Sequence, residues 1–415
     1  MVQIYRKKWQ RGIFKAFFGY VRDCLILMLP VEKIPAFIVK ALYGIQADFA
    51  FMVHPRAYND IFVSQPFLKP IKLVLRKKIA YRMLSKMPPF VLSTVKTKQN
   101  INGIVVGQMT IPETMFEERK VALRAAEKSL RLISKICKPK VVIGLGGWLP
   151  MISRRGVDLH KQAEKLGCVL TNGHCGTLAS IYMTVERIAQ IVGIPLSELS
   201  LAIIGVGKMG SNVAKAFNQK IKKITLIDIN EISIRKTKSL LETICPHAQI
   251  SILAFDRKNI NAVKQSLTGC HIGVCATSTV RNLLRIKDLP LGFIAIDDSR
   301  PEALPRDPKN ERIILEGGLL KIIDAQIDYD YGFGGSDDAF GCLGESFLLA
   351  LDKGNLLNPT LGDVDLENFH RMVDFCRANG VREGDLRSSD SVISHRLIRD
   401  AFESRGFSIE KLVED

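Results

Sequence analysis

Apolar and polar positions alternate between two periods along most of the chain. Beyond Thr114, charged residues interleave with Val121, Ala122, Ala125, Ala126, Leu130, Ile133 and Ile136. This is the spacing of an amphipathic helix, and Glu117, three residues after Thr114, completes the form of a capping box at its start. Lys138-Pro139 ends that pattern. Val141-Val142-Ile143 then reads as a buried strand feeding the loop from Gly144 to Trp148, and Cys168-Val169-Leu170 as a second strand feeding Thr171 to Thr177. A helix is predicted over 179–192, stopped by Gly193-Ile194-Pro195.

Residues 199–204 form an apolar strand signal, followed by Gly205-Val206-Gly207-Lys208-Met209-Gly210 and a helical stretch over 211–218. Further strands are predicted over 223–227, 249–254, 271–276, 293–297 and 312–315, separated by helical spacers and closed by Gly317-Gly318. Alternation of this kind predicts an α/β fold with a Rossmann-type, doubly wound parallel sheet over 196–330. Each glycine of the GxGxxG pattern serves a separate purpose. Gly205 makes the sharp turn, Gly207 admits a pyrophosphate to the backbone, and Gly210 lets the helix pack on the strand. Val206, Lys208 and Met209 complete a loop whose amides face the phosphates from a helix N-terminus. Asp228, 18 residues beyond Gly210, stands where an acid binds a ribose. The polar loop with Thr277 and Ser278 follows another strand end, as does Asp256. The ligand predicted is a nicotinamide dinucleotide, NADPH or NADH.

Composition narrows the class. The 415 residues carry 59 Lys+Arg against 42 Asp+Glu, a formal charge of +17, with 47% apolar residues, which suits two or three globular domains and excludes disorder or a small disulfide scaffold. The charge is uneven: residues 1–100 hold 18 Lys+Arg and only the acids Asp23, Glu32, Asp48 and Asp60, so 18 − 4 = +14 lies there. A field so concentrated steers an acidic partner, either an acidic carrier protein or an anionic membrane. Without a zinc finger, RNP-type motif or clear helix-turn-helix, nucleic acid is not expected. Trp9, Ile13, Phe14, Phe17, Phe18 and Val21 recur near helical spacing between Arg6, Lys8, Arg11 and Lys15, the pattern of an interfacial helix or of an ordinary packed one. The longest apolar run, 24–31, contains Pro30 and is far short of the ~20 residues needed to cross a bilayer. Nine scattered cysteines without a CxxC pair predict thiols in the cytoplasm, the basic, aromatic N-terminal pattern adds peripheral residence at a membrane, and no His/Cys spacing predicts a metal.

Cys342 differs from the other eight. It follows the glycine-rich run 332–341 and precedes an apolar helix, so helix amides would favour its thiolate; the alternative is a buried helical cysteine. Residues 366–415 read as two or three amphipathic helices with turns at Asn379-Gly380 and Arg405-Gly406. His174 is a candidate general acid or base, the alternative being a satisfied structural histidine.

From Gly144 to about Leu351 the chain resembles the aldehyde-forming long-chain acyl-[acyl-carrier-protein] reductases of the cyanobacterial type. The resemblance rests on Leu145-Gly146-Gly147, on Thr171 to Thr177, on Gly205 to Gly210, on Gly317-Gly318 and above all on Phe340-Gly341-Cys342-Leu343-Gly344-Glu345. It implies that Cys342 carries the acyl group, that a nicotinamide cofactor reduces it to a fatty aldehyde, and that the donor is an acyl carrier protein or acyl-CoA. The family pattern has Arg after the second strand where this chain has Asp228, which favours NADH, and His174 and Cys175 replace other polar residues. The organisation expected is a basic region over 1–110, a substrate domain continuing over 111–195, the dinucleotide domain over 196–330, and a nucleophile loop with helices over 331–415 that pack back on the substrate domain. Two other functions fit the same fingerprint: a dehydrogenase of a small amino, hydroxy or semialdehyde acid without a covalent step, and a non-catalytic, membrane-associated nucleotide-binding protein.

Overall fold

A computed structural model describes residues 11–256, 259–278, 283–299, 302–328, 337–388 and 391–409. The expectations for Arg6, Lys8 and Trp9 and for the run 331–336 lie outside them. The chain divides into two compact units, one of residues 1–176 with 322–381, the other of 177–321 with 382–415.

The first unit is built on the strands β1 (Phe49–Val53), β2 (Phe90–Lys96), β3 (Gly103–Gly107), β4 (Val142–Leu145) and β5 (Val169–Thr171). The sheet runs β2-β3-β1-β4-β5, with the short strand Gln326–Ile327 paired outside β2. From β3 to β5 the strands are parallel, while β2 is antiparallel to β3. Parallel strands are covered on both faces, so they read as continuous apolar runs. Ala50 and Met52 share a core with Ala122, Ala126, Leu130 and Ile133 of the helix Arg119–Ile136. On the other face the Phe49 ring meets Phe347 of the helix Gly341–Asp352, with centroids 6.0 Å apart.

The basic region 1–110 supplies β1, β2 and β3 to the same sheet as β4 and β5, so the substrate domain begins within it. One expectation is corrected here. Thr114 caps no long helix: it lies within a short helix, Pro112–Glu117, and the long one starts at Arg119. Pro112 has no N–H to lose at the first turn and starts its own helix.

The second unit contains β6 (Ser200–Ile204), β7 (Lys223–Asp228), β8 (Gln249–Ala254), β9 (Ile272–Cys275), β10 (Ile294–Asp297) and β11 (Ile313–Glu316). Their order, β8-β7-β6-β9-β10-β11, is all parallel and is that of the doubly wound dinucleotide-binding sheet. The switch in winding direction falls between β6 and β9, where ligands of open α/β sheets bind.

The C-terminal helices do not both return to the substrate domain. Leu366–Ala378 belongs to the first unit, but His395–Ser404 belongs to the second. Arg405 explains this: its guanidinium donates to the carbonyls of Leu267, Thr268, Cys270 and His271 at 2.6–3.1 Å, capping the end of the helix Ile260–Thr268. The His271 ring stacks on Phe402 and lies 4.2 Å from the Phe407 ring. No helix among the described residues is long and apolar enough to cross a membrane.

Candidate active site

Phe340 is the N-cap of the helix Gly341–Asp352, so Cys342 occupies its second position. Backbone amides of a first turn have no acceptor within the helix, and their dipoles favour an anion. Gly173, just beyond β5, lies against this turn at φ +75°, and a side chain there would overlap the Cys342 Cβ. A Cβ on Gly144, near the end of β4, would collide with the Ser346 hydroxyl and approach the Cys342 carbonyl to 3.2 Å. Two glycines from separate strand ends thus admit the Cys342 turn to the sheet. The Arg56 guanidinium, 5.6 Å over the Phe340 ring, adds a cation near the helix start.

Seven of the other eight thiols share one property. Burial pushes the thiols of Cys24, Cys137, Cys175, Cys270 and Cys275 up, Cys168 to about 11 and Cys376 to about 12. Cys342 is partly exposed at a helix start.

One turn beyond Cys342, Glu345 is fully buried and ties the helix to the segment after β5. Its carboxylate accepts from the Thr171 hydroxyl, from the Gly176 amide at 2.7 Å and from the Thr360 amide at 3.4 Å. Burial raises its pKa and these hydrogen bonds pull it back down, leaving it above the ordinary carboxyl value. Glu345 stood only within the Phe340–Glu345 motif in the sequence. Its spacing of three from Cys342 was the available signal for a shared helix side.

His174 starts the next helix, His174–Val192. Its amide donates to the Asn172 side chain at 3.0 Å, while the Asn172 amide group donates to the carbonyls of Arg155 and Gly362 at 3.1 and 3.0 Å. Burial, reinforced by Arg155 and opposed by Asp363, holds the imidazole down at about 4. It is therefore neutral near pH 7, able to accept a proton but carrying no positive charge to stabilise a thiolate. A second histidine carries no signal in its local sequence. His54 Nε2 accepts from the Trp148 amide at 2.9 Å, so Nδ1 carries the proton and donates to the Pro55 carbonyl at 2.9 Å. This imidazole, held at about 4 by burial, clasps the loop after β4.

In the second unit the fingerprint residues come together as the spacing predicts. Gly205, at φ +91°, ends β6, and a Cβ there would come within 2.8 Å of the Ala276 carbonyl and 2.9 Å of Thr277 Cβ. The Gly205 loop and the Thr277 loop thus meet at the switch point, with Ser278 exposed beside Thr277. A Cβ on Gly210 would overlap the Gly205 carbonyl, whereas one on Gly207 would meet nothing within 4 Å. The helix Lys208–Phe217 starts directly behind this open stretch of backbone. Asp228, ending β7, accepts from the amides of Val206 at 2.5 Å and Asn230 at 2.8 Å, which fixes a carboxylate beside the loop. Lys208 and Met209 form the first turn of that helix. Asp256 lies beyond the end of β8, and its backbone amide donates to the Asn259 side chain at 2.9 Å.

No protein-family model and no curated protein matches this chain. Among solved structures, L-tryptophan dehydrogenase from Nostoc punctiforme is similar at 12% identity and a TM-score of 0.36, over 86% of this chain and 88% of that one. The nucleotide-binding domain of glutamyl-tRNA reductase from Thermoplasma volcanium is similar at 17% identity and a TM-score of 0.25, over 33% and 84%. A Thermococcus litoralis Δ(1)-pyrroline-2-carboxylate reductase in complex with NADH and L-proline matches at 14% identity and a TM-score of 0.24, over 32% and 40%.

Proposed function

We propose that this protein is an NAD(P)H-dependent oxidoreductase, and more finely that it reduces long-chain fatty acyl thioesters to aldehydes through an acyl group carried on Cys342. The observation that supports this most is the Cys342 turn itself: a partly exposed thiol at a helix start, with glycine at 173 and 144 opposite it.

The Cys342 sulfur attacks the thioester carbonyl carbon, and the bond to the donor's sulfur breaks as that thiolate leaves and takes up a proton. Helix amides at 341–344 face the developing negative charge, the arrangement that lowers such barriers most. The proton lost by the Cys342 thiol is the one the leaving thiolate takes up; His174, next to Gly173, is neutral but held at about 4, which makes it a weak base for that transfer. Glu345 acts at a distance by holding Thr171, Gly176 and Thr360 around the turn. The donor in this reading is an acidic acyl carrier protein or coenzyme A.

The residues of the second unit fit a dinucleotide: Gly207 leaves room for phosphates at a helix N-terminus, Asp228 offers a carboxylate for a ribose, and Thr277 and Ser278 line the neighbouring strand end. When bound, the nicotinamide supplies the hydride that converts the acyl thioester on Cys342 into an aldehyde.

The deciding experiment is the intact mass of the protein after incubation with a long-chain acyl thioester but no cofactor. The expected result is an acyl adduct on the wild type, absent from Cys342→Ala and discharged as aldehyde by NADH or NADPH. No adduct on either protein, with thioester binding demonstrated, would overturn the covalent route.

A further inference from the structure

The helix Ile13–Met28 is apolar on two opposite sides. Ala16, Tyr20, Asp23 and Ile26 face inward and are buried. Phe14, Phe17, Phe18, Val21, Leu25 and Met28 recur at spacings of three, one, three, four and three, which places all six on one outward stripe about 100° wide. They stand in solvent, with Phe14 74%, Phe18 64% and Met28 76% exposed. Scattered exposed apolar residues are ordinary, but six large ones aligned along four turns are not.

The stripe continues onto neighbouring helices. Arg22 donates to the Leu42 carbonyl at 2.8 Å and the Tyr43 hydroxyl donates to Asp23 at 2.7 Å, holding the helix Ala36–Tyr43 alongside. That helix presents Phe37, 72% exposed. On the other flank the Phe17 ring lies 5.5 Å from Phe67, which leads into the helix Lys69–Val74 with Leu73 and Val74 exposed. The same three helices carry the exposed Lys15, Lys40, Lys69 and Lys72, and the exposed Arg76 and Lys78 follow the last of them.

We propose that this three-helix face is a docking surface for an anionic lipid bilayer, entered by the Phe14–Met28 stripe, with the basic side chains of the same helices at the headgroups. Charge decides among occupants. A second copy would bring the same exposed basic side chains to the same face and be repelled. An acidic carrier protein would match the lysines but offers no reason for six apolar side chains in a row. A bilayer interface takes both, because phenyl and leucyl groups enter the acyl boundary while lysines remain at the phosphates. The surface is peripheral by geometry, since no helix among the described residues can span a membrane. The proposal is independent of the reading of Cys342.

Flotation of the full chain with vesicles of phosphatidylcholine containing increasing phosphatidylglycerol tests it. Binding is expected to rise with anionic lipid and to fall about tenfold between roughly 50 and 500 mM NaCl, as screening shortens the reach of the lysines. Phe14→Ser/Phe18→Ser/Leu25→Ser should lower binding about a hundredfold at fixed lipid, with the circular dichroism and melting curve of the wild type retained. The lipid and salt series on the wild type stands even if that variant fails to fold. Wild type that stays at the bottom of the gradient at every composition overturns the proposal. So does a wild type that light scattering shows to be a dimer which the triple substitution dissolves, or vesicle binding that the substitutions leave unchanged while carrier-protein affinity drops.

Discussion

A thiol is a nucleophile only where its negative charge has somewhere to rest. Cys175 and Cys342 show the contrast: Cys175 is sealed in, and burial with Glu345 nearby pushes its pKa far up, whereas Cys342 is partly exposed in the first turn of a helix. Local sequence placed Cys342 at a helix start, but it did not show that Gly173 and Gly144 would converge on it from two strand ends. Asp228 was more legible, because its place at the end of β7 depends on a strand and helix of ordinary length. Its carboxylate would repel the 2′-phosphate that distinguishes NADPH from NADH. Asp228→Ala should therefore shift the ratio of kcat/KM for NADH over NADPH toward NADPH by about tenfold, a change of ~1.4 kcal/mol in differential binding. An unchanged ratio in steady-state kinetics would count against the ribose assignment.

Among the elements, periodicity recovered what local contacts decide. All six strands of the dinucleotide unit, and β4 and β5, occur within one or two residues of their expected places. The strands β1, β2 and β3 were not legible in this way, because they are short apolar runs in a basic setting, and such runs read alike as strand or buried helix. Close approach between elements is a tertiary property, and Gly173 tests it. Gly173→Ala adds a methyl to a left-handed residue in contact with Cys342, so about 3 kcal/mol of stability and the acyl adduct should both be lost. Gly354→Ala is the control: its φ is +80° but nothing lies within 4 Å of the added carbon, so only the backbone cost of about 1 kcal/mol should appear, with acylation intact. Urea denaturation and mass spectrometry on the two variants separate crowding from conformation.

Across the whole molecule, three histidines tie stability to pH. His54, His174 and His271 are each held at about 4 against an ordinary 6.5, chiefly by burial. The native state thus binds their protons later than the unfolded chain does as pH falls. Their contribution to stability is complete above about pH 6.5 and drains away toward pH 4. With partial exposure discounted, on the order of 1 kcal/mol each, about 3 kcal/mol in all, should disappear between about pH 7 and pH 4.5 in chemical denaturation. His54→Gln keeps an acceptor for the Trp148 amide and should flatten that slope by about a third.

The α/β class, the dinucleotide fingerprint with its acid, and the singular setting of Cys342 are all written in the chain itself. Each is a matter of order and spacing within a few dozen residues, where backbone sterics and apolar periodicity act. Three further outcomes emerge only on folding: the basic first hundred residues supply three strands of one sheet, Arg405 draws the last helix to the dinucleotide unit, and Glu345 and His54 hold the loops around the site. They depend on hydrogen bonds and close packing between residues far apart in the chain. No local pattern specifies which distant donor a buried acceptor will meet, only that it must meet one.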